Sequence, residues 1–378
     1  MVFLIIFKQL EIIKGFRILL FLVVVIFLGL FFPFVLVGQQ SDTLPLNHYR
    51  FLASHNSYKC KPDPSVIRFL SHFKKHLSGE LDPIQLDYGH ESLTVQLDKY
   101  TIRGFEFDVH YDHKGGHLAK RRVNFFICGL KQRAKDSLWR TPGFKVLHIA
   151  DVDYETNYIT FKQALTELRD WSLLHPDHTP LFVNVEVKTS APADYSKTLK
   201  RLGFHKAAPV DSLAMDRLDK EILDVFSLCS DKLFNPALLK GNYASVSERL
   251  DQSGWPSLKE TCGKIFFILD GDPIGNYLTS KSERPMFVYG DTQAPQTAFV
   301  IQNEPLGKEK EITELAKKYI VRTRSDAGTL EARKNDYTRF QSALESGAQL
   351  ISTDYYRADP VIGPFNVHID LEQRIFKR

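Results

Sequence analysis

IRGFEFDVHY, residues 102–111, decides the reading of this chain. In an extended strand Phe105, Phe107 and Val109 fall on one side, and Gly104, Glu106, Asp108 and His110 on the other. PLFVNVEVK (180–188) repeats the pattern, with Val183, Val185 and Val187 opposed to Asn184, Glu186 and Lys188. An apolar face turned towards helices leaves the polar set pointing into the middle of a curved sheet. Charge in such a place is costly unless it is paired or binds a metal.

Further polar residues stand near the ends of other apolar runs: His55-Asn56 in YRFLASHN (49–56) and His148 in FKVLHI (144–149). From His55 to Glu106 to His148 to Glu186 the steps are 51, 42 and 38 residues, the length of successive strand-helix units. Remaining strand candidates are 263–270, 286–290, 298–302, 319–326 and 348–355. Between them lie helical patterns: FKQALTELRDWSLLH (161–175) carries apolar residues at 161, 164, 165, 168 and 171, and DYTRFQSALESG (336–347) closes on glycine. The alternation predicts a single-domain α/β fold, a (β/α)8 TIM barrel over residues 47–378, with 189–262 as a decorated connection. Nine strand candidates exceed eight, and 286–290 is the one expected to be a loop excursion or minor strand.

Two histidines, three carboxylates and an amide at successive strand ends point to metal-assisted catalysis. Asn56, Glu106, Asp108 and Glu186 offer only oxygen, which suits calcium or magnesium rather than zinc. Histidines beside a hard cation suit phosphodiester cleavage, one taking a proton from an attacking hydroxyl and the other giving one to the leaving oxygen. The metal polarises phosphoryl oxygens. Lys188 and Arg322 are placed to hold phosphate charge, while Arg324 shares the face of Arg322. Asp354 reads equally well as a turn residue.

These stretches carry a family resemblance. ASHNSY (53–58), RGFEFDVHYD (103–112), LHI with His148, HPDHTPLFVNVEVK (175–188), GWPSL before GKIFFILD, VRTRSDA and GAQLISTDY, in order over residues 47 to about 357, resemble the calcium-dependent phosphoinositide-specific phospholipases C, notably the bacterial-type members. The resemblance implies a barrel that uses Ca2+ to cleave inositol phospholipid between glycerol and phosphate. By position, His55 and His148 would be the catalytic pair, and Asn56, Glu106, Asp108 and Glu186 the calcium ligands, with Glu106 a second candidate base for the inositol 2-hydroxyl. Diacylglycerol and an inositol (cyclic) phosphate would result. The rival on the same fold is a glycerophosphodiester phosphodiesterase, whose usual histidine-arginine and glutamate-asparagine signatures are missing from this sequence. A non-catalytic lipid-binding barrel is the rival of another class, and both histidines speak against it.

The ends and the composition set further expectations. Residues 18–37 carry no charge and follow Lys14 and Arg17, as in a secretory signal peptide, though 20 apolar residues also suffice for a membrane anchor. Either way 1–38 predicts export, to a secreted, periplasmic or surface location, with 39–46 as linker. The formal net charge is +4, with no dense basic stripe, so nucleic acid is not an expected partner. Inositol phospholipid and a membrane surface are the expected partners, and a monomer is expected. Lys114, Lys120, Arg121 and Arg122 form a basic cluster that reads either as a phosphate contact or as a solvated loop. Cys60, Cys128, Cys229 and Cys262 lack metal spacing; they read as buried free thiols, with disulfides the alternative. His72, His76, His90, His113, His117, His175 and His178 read as solvated.

Overall fold

The computed structural model describes residues 43–76, 81–281 and 283–370. The apolar segment 18–37, with its signal or anchor reading, lies outside them. Thr43–Arg378 form one compact unit. Among the described residues no helix is long and apolar enough to cross a membrane.

Among the described residues nine strands form one sheet: β1 (Phe51–Ser54), β2 (Gly104–Asp112), β3 (Gly143–Val146), β4 (Leu181–Val187), β5 (Ile265–Asp270), β6 (Phe287–Val288), β7 (Phe299–Ile301), β8 (Ile320–Arg324) and β9 (Leu350–Thr353). Eight are parallel, in the order β6-β5-β4-β2-β1-β9-β8-β7. A parallel bridge from Tyr289 to Phe299 joins β6 to β7 and brings the ends of the ring together. This is the expected (β/α)8 barrel. The extra strand, however, is β3, which pairs antiparallel with β2, Val146 opposite Val109 and Gly143 opposite Asp112. Residues 287–288 are short but belong to the ring. Strand direction leaves no mark on hydrophobic alternation, so FKVLHI looked like a ring member.

Phe105, Phe107, Val183 and Val185 pack outward against Leu97, Phe161, Leu165 and Leu168, as their alternation requires. The helix Phe161–Leu174 presents that stripe behind a Thr160–Gln163 capping box. Inside, Phe51, Phe182, Phe266, Phe287 and Phe299 stack as an aromatic floor with ring centroids 5–6 Å apart. Gly104 is required where β1 meets β2, because a Cβ there would stand 2.5 Å from that of Ala53. Above the floor the register sets Glu106 beside Asn184 and Ile268, and one row higher Asp108 beside Glu186 and Asp270. The interior thus turns from aromatic to acidic towards the strands' C-terminal ends, where barrel enzymes place their sites.

Candidate active site

Three carboxylates on neighbouring strands, Asp108, Glu186 and Asp270, repel one another unless a cation lies among them. Burial, opposed by Lys188 and reinforced by Glu186 and Glu106, pushes the Asp108 carboxyl well above the ordinary range. Burial likewise raises Asp270 to about 6, with Arg322 opposing and Glu106 and Glu186 reinforcing. Asp108 Oδ1 is buried and accepts no hydrogen bond among the described residues. Lys188 Nζ lies 3.0 Å from Asp108 Oδ2 and 2.6 Å from Glu186 Oε1. Oxygens of Glu106, Glu186 and Asp270 come within 4.8 Å of one another. This oxygen-only set with an unsatisfied buried carboxylate fits a hard cation such as calcium.

Glu106 is tied down from two sides. Arg322 Nη2 donates to Oε2 at 2.5 Å and Asn184 Nδ2 to Oε1 at 3.0 Å. Burial pushes its pKa up, but Arg322, His55, Arg324 and Lys188 outweigh that and leave it below the ordinary value.

The tight turn after β1 delivers His55 and Asn56. Asn56 takes φ +49°, and Ser57 Oγ accepts the Glu106 amide at 2.8 Å, fixing the turn to β2. His55 Nδ1 lies 2.7 Å from Asp354 Oδ1, and its Nε2 3.1 Å from Arg324 Nη1. Arginine only donates, so Nε2 is the acceptor and Nδ1 carries the proton, given to Asp354. Burial, with Arg324, lowers the His55 pKa against the pull of Asp354 and Glu106. Asp354 also holds Arg324 Nη2 at 2.8 Å. Burial resists its ionisation, but Arg324 and His55 win and hold its pKa far below the usual range.

His148 arrives by another route, in the loop that follows β3. Its Nδ1 lies 2.8 Å from Asp153 Oδ2, and the same oxygen is 3.2 Å from the wholly buried Lys59 Nζ. His55, His148, Asn56, Asp108, Glu186 and Lys188 all line one open cavity of about 170 Å³. Glu106 flanks it, 3.9 Å from His55 Nε2. Arg322 lies beneath, against Glu106; Arg324 lines the cavity instead, together with Asp354.

A family model for phosphoinositide phospholipase C, Ca2+-dependent, matches residues 44–378. The chain belongs to this family. The chain is accordingly a Ca2+-dependent enzyme, and the acidic row described above fits that cation. Among solved structures, a calcium-dependent phosphoinositol-specific phospholipase C from a Gram-negative Pseudomonas species, with myoinositol, is similar with TM-score 0.52 and 15% identity, covering 87% of this chain and 98% of that one. At that identity the likeness shows the fold. A Ca2+-dependent phosphatidylinositol-specific phospholipase C from Streptomyces antibioticus aligns with TM-score 0.47 and 14% identity over 82% of this chain and 95% of that one. Curated protein sequences give no match.

Sequence reasoning did not single out three of these neighbours. Asp270 ends FFILD, two residues beyond Ile268 on the inward face, a signal open to the same alternation argument as Glu186. Asp153 sits in an irregular loop with no periodic signal. Asp354 passed for a turn residue. Two histidines read as solvated are buried: His90, whose Nε2 meets the His55 carbonyl at 2.7 Å, and His178, which shares a hydrogen bond with Ser172. All four cysteines are free thiols, but only Cys229 is buried, and Cys128 is exposed.

Proposed function

We propose that this phospholipase cleaves phosphatidylinositol by attack of the inositol 2-hydroxyl on phosphorus, giving diacylglycerol and inositol 1,2-cyclic phosphate. The observation that carries this is the pair of histidines facing one cavity, each with Nδ1 fixed by a buried carboxylate. Such a carboxylate sets the tautomer and assigns proton exchange to Nε2 of each ring, that of His55 lying 3.1 Å from Arg324 Nη1. His55 Nε2, neutral through burial, takes the 2-hydroxyl proton as the O–P bond forms. Nε2 of protonated His148 gives its proton to the glycerol oxygen as the P–O bond breaks. Glu106, with both oxygens bonded and its proton affinity held down, is the weaker base.

Asn56, Glu106, Asp108 and Glu186 would hold the calcium, with Asp270 as a further ligand. Bound calcium supplies a Lewis acid that polarises the phosphoryl oxygen and eases loss of the hydroxyl proton. Arg324 and Lys188 bring positive charge to the non-bridging phosphate oxygens. Export, as the apolar segment 18–37 suggests, would bring the enzyme to lipid at an outer surface.

The test is release of inositol phosphate from phosphatidylinositol vesicles by residues 43–378, with calcium and then with chelator, beside His55→Ala. Calcium-dependent release lost in the variant supports the reading. Cleavage of glycerophosphodiesters in place of phosphatidylinositol overturns it.

A further inference from the structure

We infer that the long connection between β2 and β3, residues 113–142, together with Phe73 just after the helix Pro64–Ser71, is a docking platform for an anionic bilayer. The inference rests on the proposed function for its orientation and on its own surface for the rest.

The connection is strongly basic. Between residues 120 and 140 seven lysines and arginines face a single acid, Asp136, a net of six positive charges in a chain whose total is +4. Arg121 is paired with Glu155 at 3.1 Å, but Lys120, Lys131, Arg133, Lys135 and Arg140 are exposed. The basic cluster seen in sequence at Lys114, Lys120, Arg121 and Arg122 thus extends through Lys131, Arg133, Lys135 and Arg140.

Amid these charges stand bare aromatic rings. Phe125 is 54% exposed, Phe126 39% and Phe73 47%. They form one patch rather than scattered side chains: Phe73 packs on Phe69, Phe69 on Phe126, and Phe126 on Phe125, with centroids 5.2, 6.1 and 5.4 Å apart. Arg122 spreads its guanidinium over the rings of Phe125 and Phe126. Phenylalanine has no polar atom to satisfy, so its exposure on a basic surface matches the boundary of headgroups and acyl chains. Each basic side chain near an anionic leaflet adds attraction that salt weakens.

The position is as telling as the composition. β2 runs past the site residue Asp108 to Asp112, where Gly143 pairs with it, so residues 113–142 stand beyond the catalytic end of the barrel. The helix Pro64–Ser71 lies in the connection that follows His55, and Val66 and Leu70 pack it against Val123, Ile149 and Val152. A phospholipid keeps its chains in the bilayer while its head enters the cavity. The rim that must face the membrane is the rim that carries the rings and charges.

The experiment measures sedimentation of residues 43–378 with vesicles in chelator, so that neither turnover nor calcium bridging contributes. Vesicles of phosphatidylcholine are compared with phosphatidylcholine containing phosphatidylserine. Binding should require the anionic lipid and weaken with salt. Replacing Lys131, Arg133 and Lys135 together by glutamine should reduce partitioning about tenfold to a hundredfold, and Phe125→Ala about tenfold. Cleavage of a soluble short-chain phosphatidylinositol should be the same in all variants, which shows their fold and site intact. Equal sedimentation of wild type and variants, equal binding to neutral vesicles, or self-association without vesicle binding overturns the inference. Anionic-lipid binding without cleavage of the soluble substrate would leave the platform standing and overturn the proposed function; cleavage without vesicle binding would do the reverse.

Discussion

His55 and Asp354 are separated by 299 residues in sequence and by 2.7 Å in the structure, where the aspartate accepts the proton on the ring's Nδ1. The contact joins the first strand of the ring to the last and orients the ring of His55 for the base role proposed above. Asp354→Asn should therefore keep the fold yet lower kcat on phosphatidylinositol by about 10²- to 10³-fold, as loss of an oriented general base does. Asp354 is one of the groups raising the His55 pKa, so the acid limb of the rate profile should move to lower pH in the variant. An unchanged kcat would remove Asp354 from the machinery.

His148 and its partner Asp153 act on the leaving oxygen in the proposed mechanism. A nitrophenyl ester of inositol phosphate, whose leaving group needs no proton, separates the two histidines. His148→Ala and Asp153→Asn should lose about 10²-fold or more on phosphatidylinositol and recover most of it on the activated ester. His55→Ala should stay slow on both substrates. Recovery in His55→Ala and not in His148→Ala would exchange their roles.

Calcium binding should release protons. Burial and neighbouring carboxylates raise Asp108 well above its ordinary range and Asp270 to about 6, so both hold a proton more tightly than a free carboxylate. A cation can be bound only by their ionised forms. Calorimetric titration at pH 6 in buffers of different ionisation enthalpy should give different heats, and affinity should rise with pH. Asp270→Asn should diminish the proton release. Heats independent of buffer would count against these carboxylates as ligands.

A prediction away from the site concerns Glu221. Its Oε1 accepts the Phe144 amide at 3.0 Å, and burial raises its pKa from 4.5 to about 7. The folded protein thus holds this proton more tightly than the unfolded chain. Its contribution to stability is greatest below pH 4.5, falls as the pH climbs from 4.5 to 7, and is flat above. Glu221→Gln keeps an acceptor for Phe144 and cannot ionise. It should raise stability by about 1–2 kcal/mol at pH 8 and change it little at pH 5. Thermal melts at the two pH values decide it, and equal shifts at both would refute it.

Much of this could be read in the sequence because strand alternation is a local property. Glu106, Asp108 and Glu186 announce their inward direction through the phenylalanines and valines beside them. Asp270 carries the same signal, two residues beyond Ile268 on the inward face. Asp354 and Asp153 are different, since they matter through partners brought to them by the fold. A carboxylate after a strand looks the same whether it ends a turn or orients a histidine. The burial of His90 likewise depends on Tyr356 stacking over it from the far end of the chain. Strand direction was the remaining gap, and it misplaced the extra strand.

The antiparallel β3 has a positional consequence. His55 stands on a strand of the ring, braced on both sides by parallel neighbours. His148 instead follows β3, which pairs antiparallel with β2 and is bridged through Lys145 to Thr160, outside the parallel ring. The connection before β3 carries the exposed phenylalanines, and the loop after β3 carries His148. The base proposed above is thus seated in the ring itself, whereas the acid proposed above lies outside it, at the foot of the long excursion beyond β2.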